Sequence, residues 1–326
     1  MAENSTIEWT DHTFSPWIGC TKVSPGCDNC YAEQLMDKRM HKVVWGPHGE
    51  RVRTSAATWR QPLRWNARHA EFFATHGRRQ RVFCASLADV FDNAVDPAWR
   101  ADLFTLIERT PNLDWLLLTK RIGNVMTMVS EAAQYQFDLD RIEKPRLHAN
   151  IWIGATIVNQ AEADRDIPKL LAVPARVRFL SMEPLLGPVD LTSIPWGGLQ
   201  VSVLQGWESP EHGLHWVIVG GESGPGARPM HPDWARSVRD QCAAAGVPFL
   251  FKQWGDWAPG ENCGGPPTRT ERVADWFGDE WSFSTMTPSE HDGLSYDDEP
   301  TVYRVGKKTA GRHLDGRTHD EFPEAR

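Results

Sequence analysis

The chain has 326 residues, of which 40% are hydrophobic and 24% charged, and its net charge is −8. This composition is typical of a soluble globular protein, either one large α/β domain with an extension or two modest domains. The sequence has no apolar run of about 18 residues and no signal-peptide core near its first residue, so we expect a cytoplasmic protein with no membrane partner. The acidic balance also argues against binding nucleic acid over the whole surface.

Seven short apolar runs predict buried strands, and each is followed by polar residues. In chain order they are Thr13–Ile18, Arg81–Leu87, Asp114–Leu118, Asn150–Ala155, Val177–Leu180, His215–Val219 and Pro248–Phe251. Apolar residues at helical spacing predict helices over Pro97–Arg109, Gln160–Leu171 and Pro232–Ala245. Strands alternating with helices indicate a parallel sheet with right-handed crossovers. We therefore predict an α/β fold with a full or partial parallel (βα) TIM-like barrel, and a doubly wound sheet is the alternative.

Two regions depart from this alternation. Residues 40–81 form a long insertion before the second predicted strand, and residues 256–326 are rich in Gly, Pro, Asp and Glu. We expect a barrel domain over residues 1–255, including the insertion, and an irregular C-terminal extension over residues 256–326 that packs on the barrel.

Polar residues cluster where the predicted strands end, which is the edge that carries the active site in parallel βα barrels. They are Ser86, Asp89, Thr119, Lys120, Arg121, Thr156, Ser181, Glu183, Glu222 and Lys252. Charges of both signs beside hydroxyl groups are typical of a site for a polar, charged ligand. A salt bridge at the rim, such as Lys120 with Glu183, is the structural alternative.

The strongest motif is a loop with three cysteines, Cys20, Cys27 and Cys30. Three thiolates on one loop suit a soft metal. A structural zinc site would need a fourth ligand, for which His12 or Cys263 are the candidates. We predict a [4Fe–4S] cluster held by three thiolates, which leaves one iron free to bind a substrate or cofactor; zinc is the alternative.

The cysteine loop ends in Cys30-Tyr31-Ala32 and is followed by a strand ending near Asp89 and another ending in Thr119-Lys120. This order resembles radical S-adenosylmethionine (SAM) enzymes of the spore photoproduct lyase-like branch. Over nearly its whole length the chain resembles a phage and prophage family of unknown function, the three-Cys-motif proteins. The matching segments are the cysteine loop, Pro62-Leu63-Arg64-Trp65-Asn66, Leu118-Thr119-Lys120-Arg121, Ser181-Met182-Glu183-Pro184-Leu185-Leu186, Gly220-Gly221-Glu222-Ser223-Gly224, Phe251-Lys252-Gln253-Trp254-Gly255, Gly311-Arg312 and Leu314-Asp315-Gly316-Arg317.

The chain departs from the radical SAM pattern in two places. Six residues separate Cys20 from Cys27, where most of these enzymes have three. Gly220-Gly221-Glu222 follows the sixth predicted strand, whereas the Gly-Gly-Glu signature of those enzymes follows the second. An iron–sulfur enzyme that does not use SAM is therefore a further alternative.

The resemblance implies a defined chemistry. A reduced cluster on Cys20, Cys27 and Cys30 passes an electron to SAM, whose carbon–sulfur bond breaks to give a 5′-deoxyadenosyl radical that abstracts hydrogen from a substrate. The cofactor contacts it implies are Ser86, Asp89, Thr119, Lys120, Thr156, Ser181 and Glu183. The substrate contacts are Arg64, Arg121, Glu222 and Lys252, with Lys120, Glu183 and Glu222 as catalytic residues. The implied partners are an electron donor and a three-Cys-motif partner protein.

The insertion is rich in arginine and carries two tryptophans. These residues are Arg51, Arg53, Arg60, Arg64, Arg68, Arg78, Arg79 and Arg81, with Trp59 and Trp65. Arginine beside aromatic rings suits phosphate contact and base stacking, and the alternative is a solvated face whose tryptophans pack inward. We thus expect an enzyme that modifies or repairs a nucleic acid or nucleotide. The alternative is a metal-stabilised binding protein that acts with a partner and does not use SAM.

Overall fold

The computed structural model describes residues 3–137, 147–206, 212–264, 269–289, 296 and 300–324. The strands of these residues are β1 (His12–Phe14), β2 (Trp17–Ile18), β3 (Val52–Arg53), β4 (Gln80–Cys84), β5 (Leu113–Thr119), β6 (Ile151–Thr156), β7 (Val177–Met182), β8 (Ile194–Trp196), β9 (Leu199–Val201), β10 (Trp216–Gly220), β11 (Phe249–Gln253), β12 (Ala258–Pro259), β13 (Glu271–Phe277), β14 (Glu280–Met286) and β15 (Val302–Tyr303).

The α-helices of the same residues are α1 (Tyr31–Glu33), α2 (Ala56–Trp59), α3 (Gln61–Ala67), α4 (His69–His76), α5 (Pro97–Glu108), α6 (Val125–Phe137), α7 (Gln160–Leu171), α8 (Pro232–Ala245) and α9 (Lys307–Ala310). Helix α1 runs directly into a π-helical segment, Gln34–Arg39. None of the helices in the described part of the chain combines the length and apolar character that crossing a membrane requires.

The main sheet has seven parallel strands in the order β1-β4-β5-β6-β7-β10-β11. The seven predicted apolar runs all contribute to it, and β5, β6 and β7 are buried along almost their whole length. Burial on both faces explains why these strands read as continuous apolar runs rather than as alternating ones. The predicted parallel α/β fold is therefore confirmed.

The prediction of a full, closed TIM-like barrel is wrong, because β1 and β11 are the two edges of the sheet. The alternative of a partial barrel agrees with this strand order. The C-terminal segment occupies the free edge of β11. Phe251 donates its N–H to the carbonyl of His319 at 3.0 Å, and Leu250 forms an antiparallel bridge with Asp320. Because the backbone groups of this edge are paired, the edge is protected from pairing with a strand of another chain.

Two elements differ from the sequence prediction. The first predicted strand is two short strands, because Pro16 lacks an N–H and interrupts the ladder: β1 pairs with β4, and β2 pairs with β3 of the insertion. The extension predicted to be irregular contains a four-stranded sheet in the order β12-β15-β13-β14. The hairpin of β13 and β14 pairs antiparallel over seven residues of each strand.

The chain divides into two compact units. The first comprises residues 1–156, 165–180 and 324–326, and it contains the cysteine loop and strands β1 to β6. The second comprises residues 157–164 and 181–323, and it contains β8 to β15 and α8.

Candidate functional site

A cavity of about 140 Å³ lies in the first unit, at the carboxyl ends of β4, β5 and β6. Its volume is below the roughly 300–1,000 Å³ of sites for drug-sized ligands, so it has room for a small group or for one end of a larger molecule. Nine residues predicted as site residues line it: Cys20, Cys27, Cys30, Ser86, Asp89, Thr119, Lys120, Arg121 and Thr156. The fold thus brings together three cysteines and six strand-end residues that the sequence places up to 136 positions apart (20 to 156).

Local interactions fix the cysteine loop. Ser24 caps a single 3₁₀ turn, Pro25–Cys27, by accepting the Gly26 N–H at 3.1 Å. Cys30 stands at the N-terminus of α1, and its carbonyl accepts the first helical hydrogen bond from Gln34 at 3.0 Å. The loop therefore presents Cys27 and Cys30 from a turn and a helix start that immediately follow one another.

The helix after Cys30 is anchored by a small apolar cluster. Ala32 and Met36 pack with Val43 and Leu87, and Cys30 itself contacts this cluster. Because Leu87 follows β4, the cluster ties the cysteine loop to the end of the main sheet.

A buried ion network lies beneath the start of the loop. Arg121 donates through Nη1 to Cys20 Sγ at 3.3 Å and to Asp89 Oδ2 at 3.1 Å, and through Nη2 to the Thr21 carbonyl at 2.7 Å. Arg51 donates to Asp92 Oδ2 at 2.8 Å and to Thr21 Oγ1 at 2.7 Å. Two arginines, each paired with an aspartate, thus hold Thr21, the residue that follows Cys20.

The thiol of Cys20 is perturbed by this environment. Burial raises its pKa to about 12, with Asp89 adding to the shift and Arg121 opposing it. The free side chain is therefore a neutral thiol at physiological pH, and binding a metal would release its proton.

Asp89 organises the ends of β4 and β5. Its carboxylate accepts the Thr119 hydroxyl at 2.8 Å, the Lys120 N–H at 3.2 Å and the Phe91 N–H at 2.9 Å, in addition to Arg121. Because the Asp89 carboxylate already accepts four hydrogen bonds within the chain, few of its lone pairs remain for a ligand.

Lys120 differs from the other cations of the cavity. Its Nζ lies 3.4 Å from Thr156 Oγ1, and no carboxylate pairs with it among the residues that the structure describes. Lys22, by contrast, forms an ion pair with Glu33 at 2.8 Å and donates to the Asp28 carbonyl at 3.0 Å. Lys120 and Thr156 are thus the polar groups best placed to meet an anionic ligand in this cavity.

The donor set of the cavity fits an iron–sulfur cluster better than a four-ligand structural zinc. Its described lining contains three cysteines and no histidine. His12, a zinc-ligand candidate, stacks on Trp65 with ring centroids 4.2 Å apart, and Cys263 belongs to the second unit and donates to the Pro259 carbonyl. Within the described residues the cysteines do not form a preassembled set of metal ligands. The three thiols nevertheless match a centre held by three thiolates. The neighbouring cationic side chains would offset the negative charge of that centre.

The remaining predicted site residues lie elsewhere. In the second unit, Lys252 donates to Glu183, and Ser181 is buried at the end of β7. Arg64 is exposed on α3 and does not line the cavity. Arg121, predicted as a substrate contact, does line the cavity, and its guanidinium group also donates to Cys20 Sγ, to Asp89 and to the Thr21 carbonyl.

Glu222 forms an ion pair within the second unit. It is buried, and its two oxygens accept Arg228 Nε at 2.9 Å and Nη2 at 2.8 Å. The preceding Gly221 is required by packing, because a Cβ atom there would lie 1.8 Å from the carbonyl oxygen of Trp254. Close backbone approach and a bidentate ion pair therefore account for the Gly-Gly-Glu segment.

Most arginines of the insertion have partners within the chain. Arg51 and Arg81 are buried, and the other ion pairs are Arg53 with Asp102, Arg68 with Glu3, Arg78 with Asp11 and Arg79 with Asp114. Trp65 is buried, and Trp59 packs its edge against Phe14 with ring centroids 5.9 Å apart. Trp65 thus packs inward, as the alternative expected, whereas Trp59 is half-buried and Arg53 lies over its ring.

Sequence reasoning missed several residues of the site. Thr21, Lys22, Trp45 and Phe83 line the cavity. Thr21 and Lys22 lie inside the cysteine loop, so their position beside the predicted cysteines was the available signal.

The chain matches the family model described as "Protein of unknown function (DUF5131)" over residues 4–323. It belongs to that family. The match spans both compact units, from the cysteine loop to the segment that covers β11. No curated protein and no solved structure matches the chain.

Proposed function

We propose that this protein is an iron–sulfur, radical SAM-like enzyme whose centre is held by Cys20, Cys27 and Cys30. The observation that carries the proposal is that these three cysteines line one cavity together with Lys120 and Thr156, without a histidine or a fourth cysteine in its described lining. A [4Fe–4S] cluster held by these cysteines would supply, together with SAM, reductive cleavage of a carbon–sulfur bond and a carbon radical.

The residues of the chain have separate tasks in this proposal. The cysteine loop holds the centre, and the buried pairs of Arg51 with Asp92 and Arg121 with Asp89 fix the loop. Lys120 would hold the carboxylate of the cofactor, together with the Thr156 hydroxyl, because its ammonium group has no carboxylate partner among the described residues. Phe83 and Trp45 give the cavity wall an aromatic surface that shields the reacting atoms from water.

The test is the response of the reduced, anaerobically purified protein to SAM. We expect added SAM to change its electron paramagnetic resonance spectrum and to be cleaved to 5′-deoxyadenosine. Lys120→Met should keep its iron but weaken the SAM response by at least tenfold in concentration, as expected for a lost charged hydrogen bond.

Lys22→Met is the matched control, because Lys22 lines the same cavity but already pairs with Glu33. A SAM response that Lys120→Met leaves unchanged would contradict the role of Lys120. A cluster indifferent to SAM would leave an iron–sulfur protein of another kind, and zinc without iron would favour the metal-stabilised binding protein. In the radical SAM case the substrate class we propose is a nucleic acid or nucleotide, with an electron donor and a three-Cys-motif partner protein as the expected partners.

A further inference from the structure

Arg121 lines the cavity, and its guanidinium group also contacts one of the three cysteines. One nitrogen, Nη1, lies 3.3 Å from Cys20 Sγ and 3.1 Å from Asp89 Oδ2. The side chain is only 9% exposed, and that of Asp89 is 8% exposed. The guanidinium group of Arg121 therefore donates a hydrogen bond to the sulfur of a candidate cluster ligand, Cys20.

The guanidinium group is held in place from three directions. Asp89 binds Nη1, the Thr21 carbonyl accepts from Nη2 at 2.7 Å, and Asp92 Oδ1 lies 3.9 Å from Nη2. A planar group with several donors satisfies these partners at once, whereas the single ammonium of lysine would have to choose among them. The contact with Cys20 is thus fixed by the surrounding network.

We infer that Arg121 is a positioning residue that donates to the Cys20 thiolate and raises the reduction potential of the cluster. This inference rests on the proposed function. Reduction adds one electron, supplied by an external one-electron donor, and makes the centre more negative by one charge. A buried cation hydrogen-bonded to a ligand sulfur stabilises the reduced centre more than the oxidised one, since hydrogen bonds to sulfur and local charge set the potential.

The inference separates Arg121 from its neighbour Arg51. Both arginines contact Thr21, with side chains 2% exposed in Arg51 and 9% exposed in Arg121. Arg51, however, donates to Asp92, to the Thr21 hydroxyl and to the Gly46 and Gly49 carbonyls. None of these acceptors is a cysteine sulfur. Arg51 is therefore the matched control for a role that is only structural.

The experiment is a redox titration of the cluster, followed by electron paramagnetic resonance, in wild type, Arg121→Gln, Arg121→Lys and Arg51→Gln. We expect Arg121→Gln to shift the one-electron equilibrium about tenfold toward the oxidised cluster, which corresponds to about 59 mV more negative. Arg121→Lys, which keeps the charge without the fork geometry, should lie between. Arg51→Gln removes a buried cation that touches no cysteine sulfur, so it should shift the potential less than Arg121→Gln does.

A potential that falls further in Arg121→Gln than in Arg51→Gln supports the inference. Equal potentials in wild type and Arg121→Gln, or equal shifts in both arginine variants, overturn it while the cluster itself stands. If Arg121→Gln does not load iron, Arg121→Lys decides, and an unshifted potential there overturns the inference. A wild-type protein without iron overturns the proposed function and this inference together.

Discussion

Replacing Arg51 by methionine should be one of the most damaging single changes in the first unit. The Arg51 side chain is 2% exposed and that of its partner Asp92 is 4% exposed. Methionine removes the ion pair and the hydrogen bonds to Thr21, Gly46 and Gly49, and it leaves the Asp92 carboxylate buried with one cation fewer. Breaking a buried pair from one side costs about 3–5 kcal/mol, so we expect the free energy of unfolding to fall by that amount.

Arg53→Met is the matched control, two positions along the chain. Arg53 pairs with Asp102 in an exposed setting, with side chains 36% and 54% exposed, and lies over the Trp59 ring. Exposed ion pairs and cation–π contacts are worth about 1 kcal/mol or less each. Urea denaturation followed by tryptophan fluorescence measures both variants. A loss of less than about 1 kcal/mol in Arg51→Met, or equal losses in the two variants, would refute the reasoning.

Two further predictions concern stability. The pKa of Asp11 lies below its ordinary value. Burial alone would raise this pKa, but hydrogen bonds from Arg78 and from the Arg81 N–H outweigh the effect of burial. The carboxylate therefore stabilises the fold at neutral pH and loses that effect as the pH falls below about 4, so the difference between wild type and Asp11→Asn in urea denaturation should shrink on acidification; a constant difference would contradict this. Gly221→Ala should cost about 1–3 kcal/mol or more, because its Cβ atom would meet the Trp254 carbonyl, and a thermal melt no different from wild type would contradict that packing.

Much of the fold follows from the sequence because buried parallel strands are uninterrupted apolar runs. Within β5, residues Trp115 to Leu118 illustrate this, because a strand buried on both faces does not alternate apolar with polar residues. Helix α6 was not predicted, because its residues mix Thr, Ser and Gln with apolar side chains and give no strong periodicity. The sheet of β12 to β15 was missed because its strands pair across a Gly- and Pro-rich segment, where local propensity carries little information.

The part of the candidate site that the sheet topology determines could be predicted from the sequence. Parallel strands of one sheet end at the same edge, so Ser86, Thr119 and Thr156 come together as expected. The partners of the arginines were not predictable: Arg51 meets Asp92 41 positions away, and Arg121 meets Cys20 101 positions away. No local pattern encodes such pairings, which depend on how the insertion and the cysteine loop fold onto the strand ends.

The most direct test of the central claim is the iron and sulfide content of the anaerobically purified protein, in wild type, Cys27→Ala and Cys242→Ala. Cys27 lines the cavity, whereas Cys242 is buried on α8 in the second unit and serves as the control. We expect about four iron and four sulfide per chain in wild type and in Cys242→Ala, and loss of both in Cys27→Ala. Zinc in place of iron, or a cluster that Cys27→Ala retains, would contradict the account.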